Sequence, residues 1–112
     1  MQFEERQERG VLIAKPLEHR LDSSVIQEFK EHMAGKVHDG HLRIALDMGD
    51  VEFMDSSGLA GIISVLKEVG DNGGIVIFGA GFNVLTLLKL TRMDRVIPVL
   101  DGVEEALQEL EF

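Results

Sequence analysis

The chain has 112 residues, a formal net charge of −9 and no cysteine. The charge disfavours nucleic acid and anionic membrane surfaces, which need a positive field, and the missing thiols exclude disulfides, thiolate catalysis and cysteine-ligated zinc. A length of this order predicts one domain spanning 1–112, with a core built from Val, Ile, Leu, Ala and Met because aromatic residues are limited to six Phe.

Met1 to Gln7 is polar and reads as an edge strand or a tail. It carries no apolar stretch of the kind a secretory leader needs. No run approaches the ~18 apolar residues of a membrane span, and a cytoplasmic protein is expected. Val11 to Ala14 is a short apolar strand ended by Pro16, joined to the first through Glu8 to Gly10 as a hairpin. Leu17 to Leu21 is expected to be a connection. Asp22, Ser23 or Ser24 is expected to cap the next helix, where Ile26, Phe29, Met33 and Val37 recur at helical spacing.

Leu42, Ile44 and Leu46 alternate with Arg43, Ala45 and Asp47, predicting a strand with one face more buried. Gly49-Asp50 interrupts it, and Val51 to Met54 resumes an extended run. Leu59, Ile62, Ile63 and Leu66 then mark one face of a helix reaching about Val69. A turn cluster at Gly70 to Gly74 precedes Ile75 to Phe78, a continuous apolar run that suits a strand covered on both faces. Phe82 to Leu90 predicts a mostly buried helix, Val96 to Val99 a short strand, and Asp101 or Gly102 the start of a last helix through Val103, Ala106, Leu107 and Leu110. Strands alternating with helices imply an α/β fold with right-handed crossovers and a largely parallel sheet.

Asp55-Ser56-Ser57-Gly58-Leu59 is the most informative stretch. Two hydroxyls and a carboxylate crowd a helix N-terminus, where backbone N–H groups lack partners and the dipole favours negative charge. With Asp55 as N-cap, Ser56 falls at N1 and Ser57 at N2. Capping accounts for these residues on local chemistry; an anion site and a phosphorylation site are the alternatives. A hydrolase nucleophile is disfavoured, because Met54 stands where G-x-S-x-G needs its first glycine. His38-Asp39-Gly40-His41 lacks a third strong ligand and reads as a solvated loop rather than a metal site. Gly79-Ala80-Gly81 is half of a dinucleotide fingerprint and reads as a tight turn, with weak nucleotide binding the alternative. Asp22 reads as a cap, and spacing does not show whether it lies near Asp55. No cofactor is expected.

Val51-Glu52-Phe53-Met54-Asp55-Ser56-Ser57-Gly58-Leu59 resembles the signature of the STAS domain family, in the branch of bacterial anti-sigma factor antagonists. Leu21-Asp22, Gly73-Gly74 with Ile75 to Phe78, and Phe82 to Val96 extend the resemblance over nearly the whole chain. It implies a single STAS domain with a mixed, mostly parallel sheet of four to five strands and about four helices. It also implies a non-enzymatic switch. Ser56 matches the hydroxyl phosphorylated by a serine kinase that is also the anti-sigma factor. The unphosphorylated form binds that factor and frees a sigma factor, and a PP2C-type serine phosphatase resets the switch. Asp22 and Asp55 match acidic positions beside the hydroxyl, and Ser57, Gly58 and Leu59 complete the expected partner surface. Three positions depart from the family: His19-Arg20 stands where Gly-Glu is common, and Ala60 follows Leu59 where Gly is common. The same fold also serves as an unphosphorylated interaction subunit in other regulatory or transport-associated complexes, which is the alternative function. The resemblance leaves the oligomeric state, monomer or dimer, open.

Overall fold

A computed structural model describes residues 1–112. Strands β1 (Phe3–Glu8) and β2 (Val11–Pro16) form the expected hairpin; β3 (Arg20–Leu21) is followed by helix α1 (Ile26–His38); β4 (Arg43–Asp47) and β5 (Phe53–Met54) precede α2 (Ser56–Val69). Then come β6 (Gly74–Phe78), α3 (Phe82–Leu90), a 3₁₀ turn at Met93–Arg95, β7 (Val99–Leu100) and α4 (Val103–Glu109).

The main sheet has the order β1-β2-β4-β6-β7, with only β1 and β2 antiparallel. Arg9 and Gly10 make the hairpin turn with φ of 52° and 75°, the doubly positive geometry whose twist matches paired strands. The strand period of two then sorts the side chains. Leu12, Ala14, Ile44, Leu46, Ile75 and Ile77 face a large core against α1, α2 and α3. Val11, Ile13, Ala45, Val76 and Phe78 face a smaller one against Ala106 and Leu107 of α4 and Leu110, which follows it. Thus β4, expected to have one face more buried, is covered on both, like β6.

β1 is an edge strand, fastened to α1 by side chains. Phe3 stacks on His32 with ring centres 3.8 Å apart. Glu5 lies 2.9 Å from His32 Nε2 and 3.4 Å from Lys36 Nζ.

Four expectations need correction. Arg20–Leu21 is a strand, pairing in parallel with Phe53–Met54 in a separate two-stranded sheet. Asp22 does not cap α1, whose N-cap is Val25 and has no side-chain hydrogen bond. Asp22 instead heads the turn before it: its carbonyl accepts from Val25 N at 3.1 Å and Ile26 N at 2.9 Å, and its Oδ1 accepts from Ser24 N at 3.0 Å. The last strand is Val99–Leu100 and not Val96–Val99. Val96 and Ile97 donate to the Met93 carbonyl and so belong to the 3₁₀ turn; Pro98 has no N–H to give a ladder, although its carbonyl accepts from Ile77 N at 2.9 Å. Finally, α3 is less buried than expected: Val84 and Leu88 face the core, while Phe82 and Leu90 are 82% and 78% exposed.

Candidate functional site

The chain leaves β5 extended, with Asp55 at φ −119° and ψ −168°, and turns at once into α2. Asp55 is the N-cap. Its Oδ1 accepts from Ser57 N at 2.9 Å and Gly58 N at 3.2 Å, and its carbonyl accepts from Leu59 N at 3.1 Å. Two of the donors that every helix start leaves unpaired are thereby satisfied by one carboxylate. The capping expected at this step thus falls to Asp55, and Ser56, at N1, is exposed and not needed as a cap. Ser57 is half-buried, and Gly58 and Leu59 are buried.

Close packing fixes where this helix start lies. A Cβ on Gly58 would stand 2.4 Å from the Leu21 carbonyl oxygen and 2.5 Å from Met54 Cγ, so the first turn of α2 rests directly on β3 and β5. A Cβ on Gly61 would stand 2.2 Å from Ile26 Cδ1, which brings the start of α1 against the same helix. The buried face of α2 runs through Leu59, Ile62, Val65 and Val69, with Ile63 and Leu66 packed at its border. It is therefore rotated from the face expected at Leu59, Ile62, Ile63 and Leu66, because α1 covers α2 from the side as the sheet covers it from below.

The β3–β5 register gathers the remaining residues. Arg20 pairs with Phe53 and Leu21 with Met54, so Asp22 and Asp55 each follow the C-terminal end of one of two paired parallel strands. Alternation sends Leu21 and Met54 into the core and leaves Arg20 and Phe53 on the other face. That Asp22 and Asp55 leave the same end of one small sheet, which spacing did not show, comes from this register. The Arg20 guanidinium sits 4.2 Å over the centre of the Phe53 ring, and its Nε donates to Asp22 Oδ2 at 3.0 Å. The hydrogen bond from the Ser24 hydroxyl, followed by that from Arg20, holds the Asp22 carboxyl below the usual carboxylate range. The strand start is tied down by the His19 carbonyl, which accepts from Glu52 N at 2.7 Å and Phe53 N at 3.1 Å.

Two features escaped sequence reasoning. One is the Arg20–Phe53 stack, which follows from a pairing of two-residue strands. The other is the approach of α3: Asn83 Nδ2 donates to the Glu52 carbonyl at 3.4 Å, and an open depression of about 310 Å³ lies between Gly49, Val51, Glu52, Gly81, Phe82 and Asn83. Exposed Phe82 at its rim was the available signal, hidden by the apolar run in which it stands.

The other motifs lie elsewhere. Gly79 has φ +72° and abuts Asp47 Oδ1, which a Cβ would meet at 3.2 Å, so Gly79-Ala80-Gly81 is a packed turn. His38 lies 3.4 Å from Glu68, at the far end of α2 and about 18 Å along the axis from Ser56.

The site as a whole is a closely packed helix start presenting the exposed hydroxyl of Ser56, with the carboxylates of Asp55 and Asp22 and one stacked cation at the same end of the small sheet. The STAS domain family model matches residues 3–106. The anti-sigma F factor antagonist of Paenibacillus polymyxa is 30% identical over 115 residues, covering 99% of this chain and 96% of that protein. The tm1081 protein of Thermotoga maritima superposes with TM-score 0.89 at 26% identity, covering 98% of this chain and 95% of the other. Bacillus SpoIIAA shares the fold at 16% identity and TM-score 0.72 in its phosphorylated form, covering 98% of this chain and 100% of its own. The chain belongs to the STAS domain family, in its branch of anti-sigma factor antagonists.

Proposed function

We propose that this chain is a phosphorylation-switched antagonist of an anti-sigma factor, with Ser56 as the switched hydroxyl. The observation that carries the reading is the division of labour at the start of α2. Asp55 caps the helix, so exposed Ser56 can be modified without unpairing any backbone group. A kinase transfers the γ-phosphoryl of ATP to Ser56 Oγ; the bond to ADP breaks, the new O–P bond forms, and a base of the kinase accepts the hydroxyl proton. The product adds roughly −1.5 to −2 charge. The helix dipole tolerates it, but the adjacent Asp55 and Asp22 carboxylates make the surface strongly anionic. A partner seated on the neutral hydroxyl is then left with an uncompensated charge in its interface.

The partner is an anti-sigma factor that is itself the serine kinase, and a PP2C-type serine phosphatase restores the binding form. The relative named for sigma F supports the partner class, and SpoIIAA, which has this fold, is known in unphosphorylated and phosphorylated forms. Asp22, Asp55 and Ser57 contribute to the docking surface directly. Gly58 and Leu59, being buried, contribute by holding the turn in place.

The test is incubation with the cognate kinase and ATP, mapping phosphate by mass spectrometry. Phosphate is expected on Ser56; phosphate on Ser57 alone, or nowhere, overturns the assignment. In calorimetry, Ser56→Asp is expected to bind the anti-sigma factor at least ten-fold more weakly, and Ser56→Ala to bind like wild type while resisting release by ATP. Unchanged binding by Ser56→Asp would place the interface elsewhere.

A further inference from the structure

Arg20 has no part in the switch as described so far, yet it is the cation placed against the switch. It lies on β3 one residue before Leu21, whose carbonyl the first turn of α2 touches at Gly58. Its side chain runs toward the C-terminal end of the small sheet, where α2 starts, because its Nε reaches Asp22, the residue that follows β3 as Asp55 follows β5. Only Nε of the guanidinium is engaged there, on one carboxylate oxygen, while the plane stacks on Phe53 at 4.2 Å. Arginine presents five N–H donors in a rigid fork suited to phosphate. Stacking orders the long side chain in advance, which lowers the entropy cost of using those donors. On the loop of Ser56 and the two paired strands, Asp55, Glu52 and Asp22 are acidic and Arg20 is the cation; the nearest cation that another element brings to the first half of α2 is Lys30 of α1, whose stem packs at Gly61.

We propose that Arg20 is a built-in latch for the phosphorylated state: resting on the proposed modification of Ser56, its guanidinium keeps its seat on Phe53 and turns its free N–H groups from the Asp22 side to the phosphate. The phosphoryl group is then held against the chain's own surface. Arg20 is a positioning residue for the phosphate and a neutraliser of the three anions that the switched state brings together. This gives a physical meaning to the Arg found where Gly-Glu is common in the family: a glutamate there would add a fourth anion.

The experiment places phosphoserine at position 56 by genetic encoding, so that the outcome does not depend on recognition by a kinase. The second ionisation of the phosphate is followed by ³¹P NMR in wild type, Arg20→Gln and Arg20→Lys. A nearby cation favours the dianion, so the wild-type midpoint is expected about half a pH unit below that of Arg20→Gln, the size of an exposed charge pair. Arg20→Lys should fall between, keeping the charge and losing the fork. The difference should shrink in 0.5 M salt, where screening is short-ranged. Arg20 is exposed, so the variants are expected to keep the wild-type circular dichroism. Equal midpoints in wild type and Arg20→Gln would overturn the latch and leave the Ser56 switch intact. Absence of kinase-dependent phosphate on Ser56 would overturn the switch, and the latch with it.

Discussion

Asp22 and Asp55 stand at the C-terminal ends of adjoining strands and use their charge differently. Asp55 gives its carboxylate to two backbone N–H groups of α2. Asp22 takes hydrogen bonds from Ser24 and Arg20, which lower its pKa in the folded chain. A carboxyl whose folded pKa lies below its unfolded value stabilises the fold fully above the unfolded value, near about 3.9, and loses that contribution as pH falls through the lower folded value. Asp22→Asn should therefore be less stable than wild type at pH 7, and the gap should close on acidification toward pH 3. Urea melts of both proteins at the two pH values check this. A gap that is unchanged at low pH would mean that Asp22 acts through the shape of its turn and not through its charge.

At the scale of elements, the proposed switch residue Ser56 is positioned by contact between α2 and the small β3–β5 sheet, and glycine is required there. The would-be Cβ of Gly58 meets a backbone carbonyl, which cannot yield locally, as well as Met54 Cγ, whereas that of Gly61 meets only side-chain carbons, Cδ1 and Cγ1 of Ile26. Gly58→Ala must lift the helix start, at a cost on the order of 1–3 kcal/mol for an overpacked contact. Gly61→Ala can be absorbed by a change of rotamer and should cost less. Denaturant midpoints of the two variants decide the point, and equal losses would refute the difference. The same contacts mark what the sequence could and could not disclose. Ile44 and Leu46 announce themselves by alternation and Ile75 and Ile77 by a continuous apolar run, each within a five-residue strand, and α1 by Phe29, Met33 and Val37. Asp55 as N-cap follows from residue type alone. Arg20–Leu21 and Phe53–Met54 are too short to carry a period, so their pairing, the neighbourhood of Asp22 and Asp55, and the Arg20–Phe53 stack become visible only in three dimensions. The rotated face of α2 was hidden for a related reason: periodicity reports that a helix has an apolar side, while the crossing of α1 decides which residues complete it.

For the whole molecule, charge limits how the switch can work. The chain carries −9, and a partner with basic contacts is drawn to it from a distance beyond contact range. Phosphorylation raises the total to about −11, which leaves that long-range attraction slightly stronger. On the proposed switch, loss of binding then arises after encounter, with the phosphate within the interface, and it should appear as faster dissociation. Stopped-flow mixing of the anti-sigma factor with wild type and with the genetically encoded phosphoserine form should give association rates within about three-fold of each other, as expected among variants of one interface. Both rates should fall by about ten-fold or more between 0.05 and 0.5 M salt. Dissociation should be faster by the full factor of the lost affinity. A phosphorylated form that instead associates much more slowly, with dissociation unchanged, would show that the phosphate acts before docking, by altering the conformation that the partner selects.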